Sequence, residues 1–322
     1  MADLKVRVET FLQTRLRPGD SILAAVSGGP DSVALAHLLR GLPYRLILAH
    51  VDHRLRRGSA SDRRFVQKLA GHWDLRCVTA SVDVGSHARK KGQGIEEAAR
   101  ELRYRALERM ARRLRCGAVA TGHHADDQAE TVLMNLLRGA GGSGLAGMPP
   151  ERSLSPRSPE IKLLRPLLGT WRREILVYLR KHRLSSRRDP SNRSLDFRRN
   201  RIRHKALPYL NRLAPGFSQR LVQAAEFFRA EEGFWETITA PKLSKTARKF
   251  GQSVDIDLKR LLGYHKALKR RILRHFLPGL SFLETESVLA LASSPDKSRS
   301  LHLGNGLVVN RRSGRLVVAR NT

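Results

Sequence analysis

The chain has 322 residues with 41% hydrophobic content, enough for one large or two modest domains with real cores, and no run approaches the roughly 20 apolar residues that a membrane span needs. Its 61 Lys and Arg outnumber 29 Asp and Glu for a formal charge of +32, so a polyanionic partner such as nucleic acid is expected and a membrane partner is not. Cys77 and Cys116 form no CxxC pair, which argues against a disulfide framework, a structural zinc and any chemistry that needs paired thiols.

The opening residues carry acids and no apolar h-region, so they do not read as a secretory leader, and the expected compartment is the cytoplasm. SILAAV (21–26) reads as a buried strand that runs into Ser27-Gly28-Gly29-Pro30-Asp31-Ser32, and VALAHLLRGL follows as a helix. RLILAHV (45–51) and RCVTASVDV (76–84) are further strands. Residues 94–115 carry apolar side chains at helical spacing, with Glu and Arg three or four apart. GAVATGHH is a strand that ends in a loop, and ADDQAETVLMNLLRG is a helix with Ala125 or Asp126 near its start and Gly139 past its end. Strands alternating with helices specify an α/β class: a parallel twisted sheet with helices on both faces.

Residues 139–160, rich in Gly, Ser and Pro, read as a mobile loop or lid. IKLLRPLL reads as one more strand, and TWRREILVYLRKHRL as a helix capped by Thr170. Between Arg187 and Lys205 eight Lys and Arg meet two Asp. From about Pro215 the pattern is helical, through FSQRLVQAAEFFRAEEGFWETI and HKALKRRILRHFL, and the last two alternating runs flank NRRSG as a hairpin does. The segment 240–251 is short and polar and specifies little. The chain therefore reads as two domains, 1–215 and a smaller, mainly helical 216–322. Phe227, Phe228, Phe234 and Trp235 read as helix-packing core rather than stacking surfaces.

The SGGPDS junction carries the chemistry. In a parallel α/β sheet, ligands sit at the carboxyl ends of strands, against helix N-termini. Gly28 and Gly29 let the backbone approach a ligand and turn its amides inward, and those amides with the helix dipole form an anion site. The hydroxyls of Ser27 and Ser32 add donors for phosphate oxygens. Asp31 alone would repel a phosphate and makes sense where Mg²⁺ bridges the two. The pattern thus suits a Mg-nucleotide. It is neither a Walker loop, which needs GK[ST] after a longer gap, nor a GxGxxG dinucleotide turn. The plainer reading is a tight strand–helix turn with Asp31 or Ser32 as the N-cap.

SGGPDS after the first strand resembles the PP-motif of the N-type ATP pyrophosphatases, which cleave ATP between the α and β phosphates and adenylate a substrate. Within that superfamily HVDHRLR (50–56), TGHHADDQAETVLMNLLRGAGGSGLAGM (121–148), RPLL (165–168) and DPSN....FRRNRIRHKALPYL (189–210) are similar to the tRNA(Ile)-lysidine synthetases. The resemblance covers about residues 18–215, and the chain length matches the compact form of that family. It implies a ligase that uses ATP and Mg²⁺ to adenylate the 2-carbonyl oxygen of the wobble cytidine in a CAU-anticodon tRNA(Ile), after which the side-chain amine of free L-lysine displaces AMP. The product, lysidine, moves decoding from AUG to AUA. No protein partner is evident, and a homodimer is left open.

Carried onto this chain, the resemblance implies that Ser27, Gly28, Gly29, Pro30, Asp31 and Ser32 hold the pyrophosphate and Mg²⁺, with Asp31 as the metal ligand. His50, Val51 and Asp52 border adenine and ribose. Asp127 and Glu130, three apart and so on one helix face, bind the lysine ammonium and help to remove its proton; Asp126, about 100° round the helix, is the weaker candidate. His123 and His124 serve as acid/base or phosphate contacts. Arg201, and after it Arg203, supplies the cation where charge builds on the leaving phosphate. Each has a plainer reading: hydrogen-bonded loop histidines, dipole partners at a helix start for Asp126 and Asp127, an ion pair with Arg138 for Glu130. Two other functions compete. A PP-loop cytidine 2-thiolase would need cysteines for sulfur or a cluster, and a basic RNA-binding protein would keep the nucleotide fold without turnover. A metallohydrolase built from His50, His53, His123, His124, Asp126 and Asp127 would leave SGGPDS without work. Where the family usually carries Gly-Leu-Arg after VDH, this chain has Arg54-Leu55-Arg56, a difference that bears on the local backbone and not on the site.

Overall fold

The structure, a computed structural model, describes residues 3–55, 58–187, 195, 197–251, 253–296, 298–304 and 306–320. Arg56 and the DPSN stretch at 189–192 lie outside the described residues. Two compact units, Met1–Arg229 and Ala230–Thr322, make up the chain.

In the first unit the strands are β1 Ser21–Ala25, β2 Arg45–Asp52, β3 Arg76–Ser81, β4 Ala118–Ala120, β5 Glu151–Ser155 and β6 Ser158–Leu164, in the order β3-β2-β1-β4-β6-β5. All run parallel except β5, which folds back antiparallel on β6. The helices are α1 Leu4–Gln13, α2 Pro30–Arg40, α3 Ser59–His72, α4 Val84–Lys91, α5 Ile95–Arg113, α6 Ala125–Leu136, α7 Gly142–Leu145, α8 Arg172–Lys181, α9 Arg198–Arg201 and α10 Leu207–Leu213, with a π-helical turn, Ile202–Ala206, between the last two.

β1 explains why the sheet is covered on both faces. Ile22 and Ala24 pack into one core with Val8 of α1, Leu35 of α2, Val66 of α3 and Ile175 of α8. Leu23 packs into another with Val84 of α4 and Leu107 of α5. Successive side chains of a strand point to opposite faces, so a strand covered on both reads as an unbroken apolar run. The chain runs from β1 outward through β2 to β3, then places β4 on the other flank of β1. The carboxyl ends of β1 and β4 therefore flank the crevice where an open α/β sheet takes its ligand.

Two expectations for this unit change. The stretch read as a lid is largely tied down: it contains α7 and β5, Gln128 exchanges hydrogen bonds of 2.8 and 3.1 Å with the backbone of Met148, and Asn135 Nδ2 donates to the Gly144 carbonyl at 2.7 Å. Thr170 does not cap α8; the cap falls on Trp171, whose amide donates to Glu174 at 2.7 Å, and the buried Thr170 instead offers its carbonyl to the Ala125 amide.

The division between units lies inside α11, Phe217–Thr246, past the composition change near residue 215. The second unit also holds α12 Leu258–Leu262, α13 Lys266–Phe276 and α14 Phe282–Ser293. Beside them stands an antiparallel sheet of β7 Ala247–Phe250, β8 Ser253–Asp257, β9 Ser300–His302, β10 Leu307–Arg312 and β11 Arg315–Arg320, in the order β7-β8-β11-β10-β9. The pattern had pointed mainly to helix there. The NRRSG signal is a hairpin: β10 and β11 pair through Ser313 and Gly314, at φ 41° and 81°, the two positive values that match strand twist in a two-residue turn. Phe227 and Phe234 are not core, at 74% and 61% exposed. The fully buried residue near Phe227 is Ala225, and two residues along a helix turn the side chain by about 200°. Among the described residues no helix is long and apolar enough to cross a membrane.

Candidate active site

Between β1 and α2 the chain turns through Ser27-Gly28-Gly29. Gly28 has φ +91°, and a Cβ there would lie 3.3 Å from Phe65 Cδ1 and 3.6 Å from Arg187 Cγ. Ser32 Oγ accepts the Ser27 amide at 3.2 Å and donates to the Gly29 carbonyl at 2.9 Å, while Ser27 Oγ accepts the Gly29 amide at 3.3 Å. The hydroxyls thus shape the turn themselves. Pro30 opens α2 at a position where an N–H would have no intrahelical partner, and the free amides of that first turn, with the helix dipole, favour an anion. Arg187, which the sequence reading gave no role here, clamps the turn: its amide donates to the Gly28 carbonyl at 2.8 Å, and its guanidinium reaches Asp62 at 3.3 Å and Ser61 at 2.7 Å on α3.

Across the crevice β4 exits into Thr121-Gly122-His123-His124. A Cβ on Gly122 would lie 3.0 Å from the backbone C and O of Asp31 and 3.1 Å from Ser32 N, so a side chain there would push this loop off the first turn of α2 by a few tenths of an ångström. The two histidines are driven in opposite directions. Burial, with Arg103, Arg165 and Arg199 nearby, lowers His123 to about 3 and keeps it neutral, with Nδ1 2.9 Å from Thr121 Oγ1. Burial also opposes charge on His124, but Asp126, Asp127 and Asp31 outweigh it and raise its pKa. The His124 ring nitrogens lie 3.3 Å from Asp126, 3.5 Å from Asp127 and 3.7 Å from Asp31.

Asp31 Oδ1 is buried without a hydrogen-bond partner, and burial raises the pKa of its carboxyl despite His124 and Arg172. An orphaned carboxylate oxygen beside an anion-binding turn fits a Mg²⁺ shared with phosphate oxygens. Among the described residues no group of three or more His, Cys, Asp or Glu could hold a metal, so phosphate and water oxygens would complete its shell.

α6 begins at this point, with the His124 amide donating to Asp127 Oδ2 at 3.1 Å. One turn on, Asp127 and Glu130 face the stretch from α9 into the π-helical turn. Arg199 donates to Glu130 Oε2 at 2.7 Å and Asp127 Oδ1 at 3.0 Å; Arg203 donates to Glu130 at 2.5 and 3.0 Å and to Asp127 Oδ1 at 3.1 Å. Burial alone would raise the Asp127 carboxyl, but His124, Arg199 and Arg203 hold it down to about 2. Arg201, the first choice from sequence, is exposed and lies outside this cluster. Arg199, not Arg201, faces the two carboxylates beside Arg203, because residues four apart share a helix face and residues two apart do not. The signal was present, an i,i+4 arginine pair matched to an i,i+3 carboxylate pair. Asp126 lies outside the arginine cluster, beside His124, and accepts the Arg172 amide at 2.8 Å. A cavity of about 320 Å³ opens beside the cluster, lined among others by His124, Asp126, Glu130, Arg172 and Arg203.

A family model of the PP-loop domain matches residues 2–210. The tRNA(Ile)-lysidine synthase of Geobacillus kaustophilus is 36% identical over 95% of this chain and 68% of its own length. That of Geobacter sulfurreducens is 38% identical over 98% and 68%, and that of Thermosynechococcus vestitus 36% over 93% and 87%. The chain belongs to the tRNA(Ile)-lysidine synthase family. Among solved structures, the U34-tRNA thiolase NcsA from Methanococcus maripaludis with its [4Fe-4S] cluster has a TM-score of 0.58 at 20% identity, covering 69% of this chain and 77% of that one, a likeness of fold.

Within this lysidine synthase frame, His50 and Asp52 sit buried at the end of β2. His50 Nδ1 is 2.9 Å from the Val26 carbonyl and so ties β2 to the exit of β1. Asp52 accepts the Arg54 amide at 2.9 Å. Arg54 stands at φ +52°, a left-handed conformation that glycine adopts without strain. We expect Arg54→Gly to be neutral or stabilising by up to about 1 kcal/mol in urea unfolding; a loss of more than about 1 kcal/mol would show that the arginine side chain holds this loop. Cys77 packs with the core on one face of the sheet and Cys116 with the core on the other, so the two thiols share no site.

Proposed function

We infer that the chain is an ATP-dependent carbon–nitrogen ligase that joins free L-lysine to the 2-position of the wobble cytidine in CAU-anticodon tRNA(Ile), by way of an adenylated cytidine, with AMP and pyrophosphate as the other products. The observation that carries this reading is His124, whose ring lies between Asp31 of the nucleotide turn and Asp127 of the carboxylate–arginine cluster and is raised toward its charged form by both. Nucleotide turn and amine site are thereby one connected site.

The turn amides and the α2 dipole hold phosphate, and Asp31 offers Oδ1 to the metal. Mg²⁺ bound there would neutralise phosphate charge. The cavity presents both signs, which suits an amino acid: Glu130 and Asp126 for ammonium groups, Arg172 and Arg203 for a carboxylate. Asp127, held to about 2, is a poor proton acceptor for an ammonium near about 10.4, so its part is electrostatic positioning rather than proton removal. Neutral His123 serves as a single hydrogen-bond partner. Arg199 and Arg203 place positive charge at the site without reorganisation. The net charge of +32 supports a polyanionic RNA substrate.

Glu130→Gln is expected to raise the lysine requirement about tenfold or more while ATP binding changes less than about twofold. An unchanged lysine dependence would remove Glu130 from the amine site. The deciding experiment is mass analysis of nucleosides from CAU-anticodon tRNA incubated with protein, ATP, Mg²⁺ and lysine. Lysidine formation is the expected result; a sulfur-containing cytidine would make the protein a thiolase, and no nucleotide turnover would leave an RNA binder.

A further inference from the structure

α5 carries Arg100, Arg103 and Tyr104, β5 carries Arg152, and Arg165 follows β6. The guanidinium carbons of Arg100, Arg103 and Arg152 stand 5.3, 5.4 and 5.4 Å from the centroid of the one Tyr104 ring. Arg165 is 1% exposed, donates through Nη1 to the Pro149 carbonyl at 2.6 Å and leaves Nε buried without a partner. Tyr104 Oη is likewise buried without a hydrogen bond of normal geometry. Among the described residues no carboxylate lies within ion-pair distance of these four arginines. Of the acids of α5, Glu101 is taken by Lys91 and Arg105, Glu108 by Ser155, Ser158 and Arg112, and Glu96 and Glu97 are exposed in its first turn.

Arg100 is exposed and Arg152 is half-buried with its Nη1 on the Ser153 and Leu154 carbonyls, but Arg165 is buried and Arg103 half-buried. Buried charge is ordinarily paired, and cation–π attraction to one ring offsets only part of the repulsion among these cations. The cluster also borders the crevice. Arg103 and Arg165 both disfavour charge on His123 in the β4 exit loop, and Arg103 does so on His53 beyond β2. Guanidinium forks and a phenolic hydroxyl match the oxygens of a phosphate.

We propose that Arg103, Arg152 and Arg165, gathered round Tyr104, bind a phosphate group beside the catalytic crevice, at a site separate from the glycine turn. Two sources supply that chemistry, and their identity rests on the proposed reaction: a phosphodiester of the RNA near the modified base, or the pyrophosphate released from the turn.

The test uses the full chain with Arg103→Gln and Arg152→Gln combined, leaving buried Arg165 in place. Binding of a CAU-containing RNA stem-loop is titrated across a salt series, and binding of inorganic pyrophosphate is measured by calorimetry. For an RNA phosphate, RNA affinity falls about tenfold and the log–log salt slope shrinks by about 0.7 to 0.9, with pyrophosphate binding unchanged. For pyrophosphate, its affinity falls about tenfold and the RNA slope stays. Both affinities and the slope unchanged overturn the proposal, whatever happens to the melting temperature. Tyr104→Phe, which keeps the ring and removes the hydroxyl, is expected to weaken the same ligand about threefold; should the double variant fail to fold, no change in Tyr104→Phe overturns the proposal. Normal binding changes without lysidine formation would instead be a failure of the proposed reaction.

Discussion

Asp31→Ala is expected to abolish ATP:pyrophosphate exchange, by at least about 10²- to 10³-fold, while leaving the free protein as stable as before or more so. The two effects have one cause. Oδ1 of Asp31 is buried with no partner, so removing it deletes no hydrogen bond at that atom. Burial raises the folded-state pKa of the carboxyl. For an acid the sign is then definite: the folded state binds the proton more tightly than the unfolded state, so above the folded pKa the ionised group destabilises the fold, and its removal relieves that at neutral pH. Exchange kinetics and urea unfolding, the latter without nucleotide or metal, check both halves. Exchange at the wild-type rate would refute the metal-ligand role. Lost exchange with a large loss of stability would make Asp31 a structural residue.

Arg203→Ala is expected to slow the reaction about 10²- to 10³-fold, and Arg201→Ala to change it less than about twofold. Arg203 touches both Asp127 and Glu130, and Glu130 is 1% exposed. Its loss leaves a buried carboxylate with Arg199 alone, a destabilisation of about 2–3 kcal/mol that denaturant titration would read. Arg203→Lys keeps the charge but not the fork and should recover part of the stability and less of the rate. Single-turnover rates of the four proteins order the arginines directly. Equal slowing by Arg201→Ala and Arg203→Ala would return Arg201 to the site.

What could be read beforehand was whatever depends on spacing along the chain. The apolar run of β1, the turn at Gly28 and the shared face of Asp127 and Glu130 follow from strand period, positive φ and helix period, each set within a few residues. What could not be read depends on contacts between distant segments. Which arginine of FRRNRIR meets α6 depends on the phase of a helix that begins only at Arg198 and then widens. The close approach at Gly122 is to the first turn of α2, far away in sequence. The segment that looked like a lid is held because Gln128 reaches across to Met148. β5, β7 and β8 are four or five residues long, too short for alternation to separate them from turns.

The π-helical turn at Ile202–Ala206 gives the region a further property. Such a turn holds one residue more than an α-helical one. Ile202 at its start and Leu207 just past its end both enter the small core with Ala129 and Leu133 of α6. Deleting one residue between them would let the turn rewind as α-helix with its flanks in phase, whereas an insertion or a second deletion would turn everything downstream by about 100°, carrying Leu207 out of its socket while Arg199 stayed put. The stretch thus behaves as a ruler with one spare notch: its exposed letters can drift and one letter can be dropped, but an insertion or a second loss would uncouple the arginine pair from the scaffold that aims it.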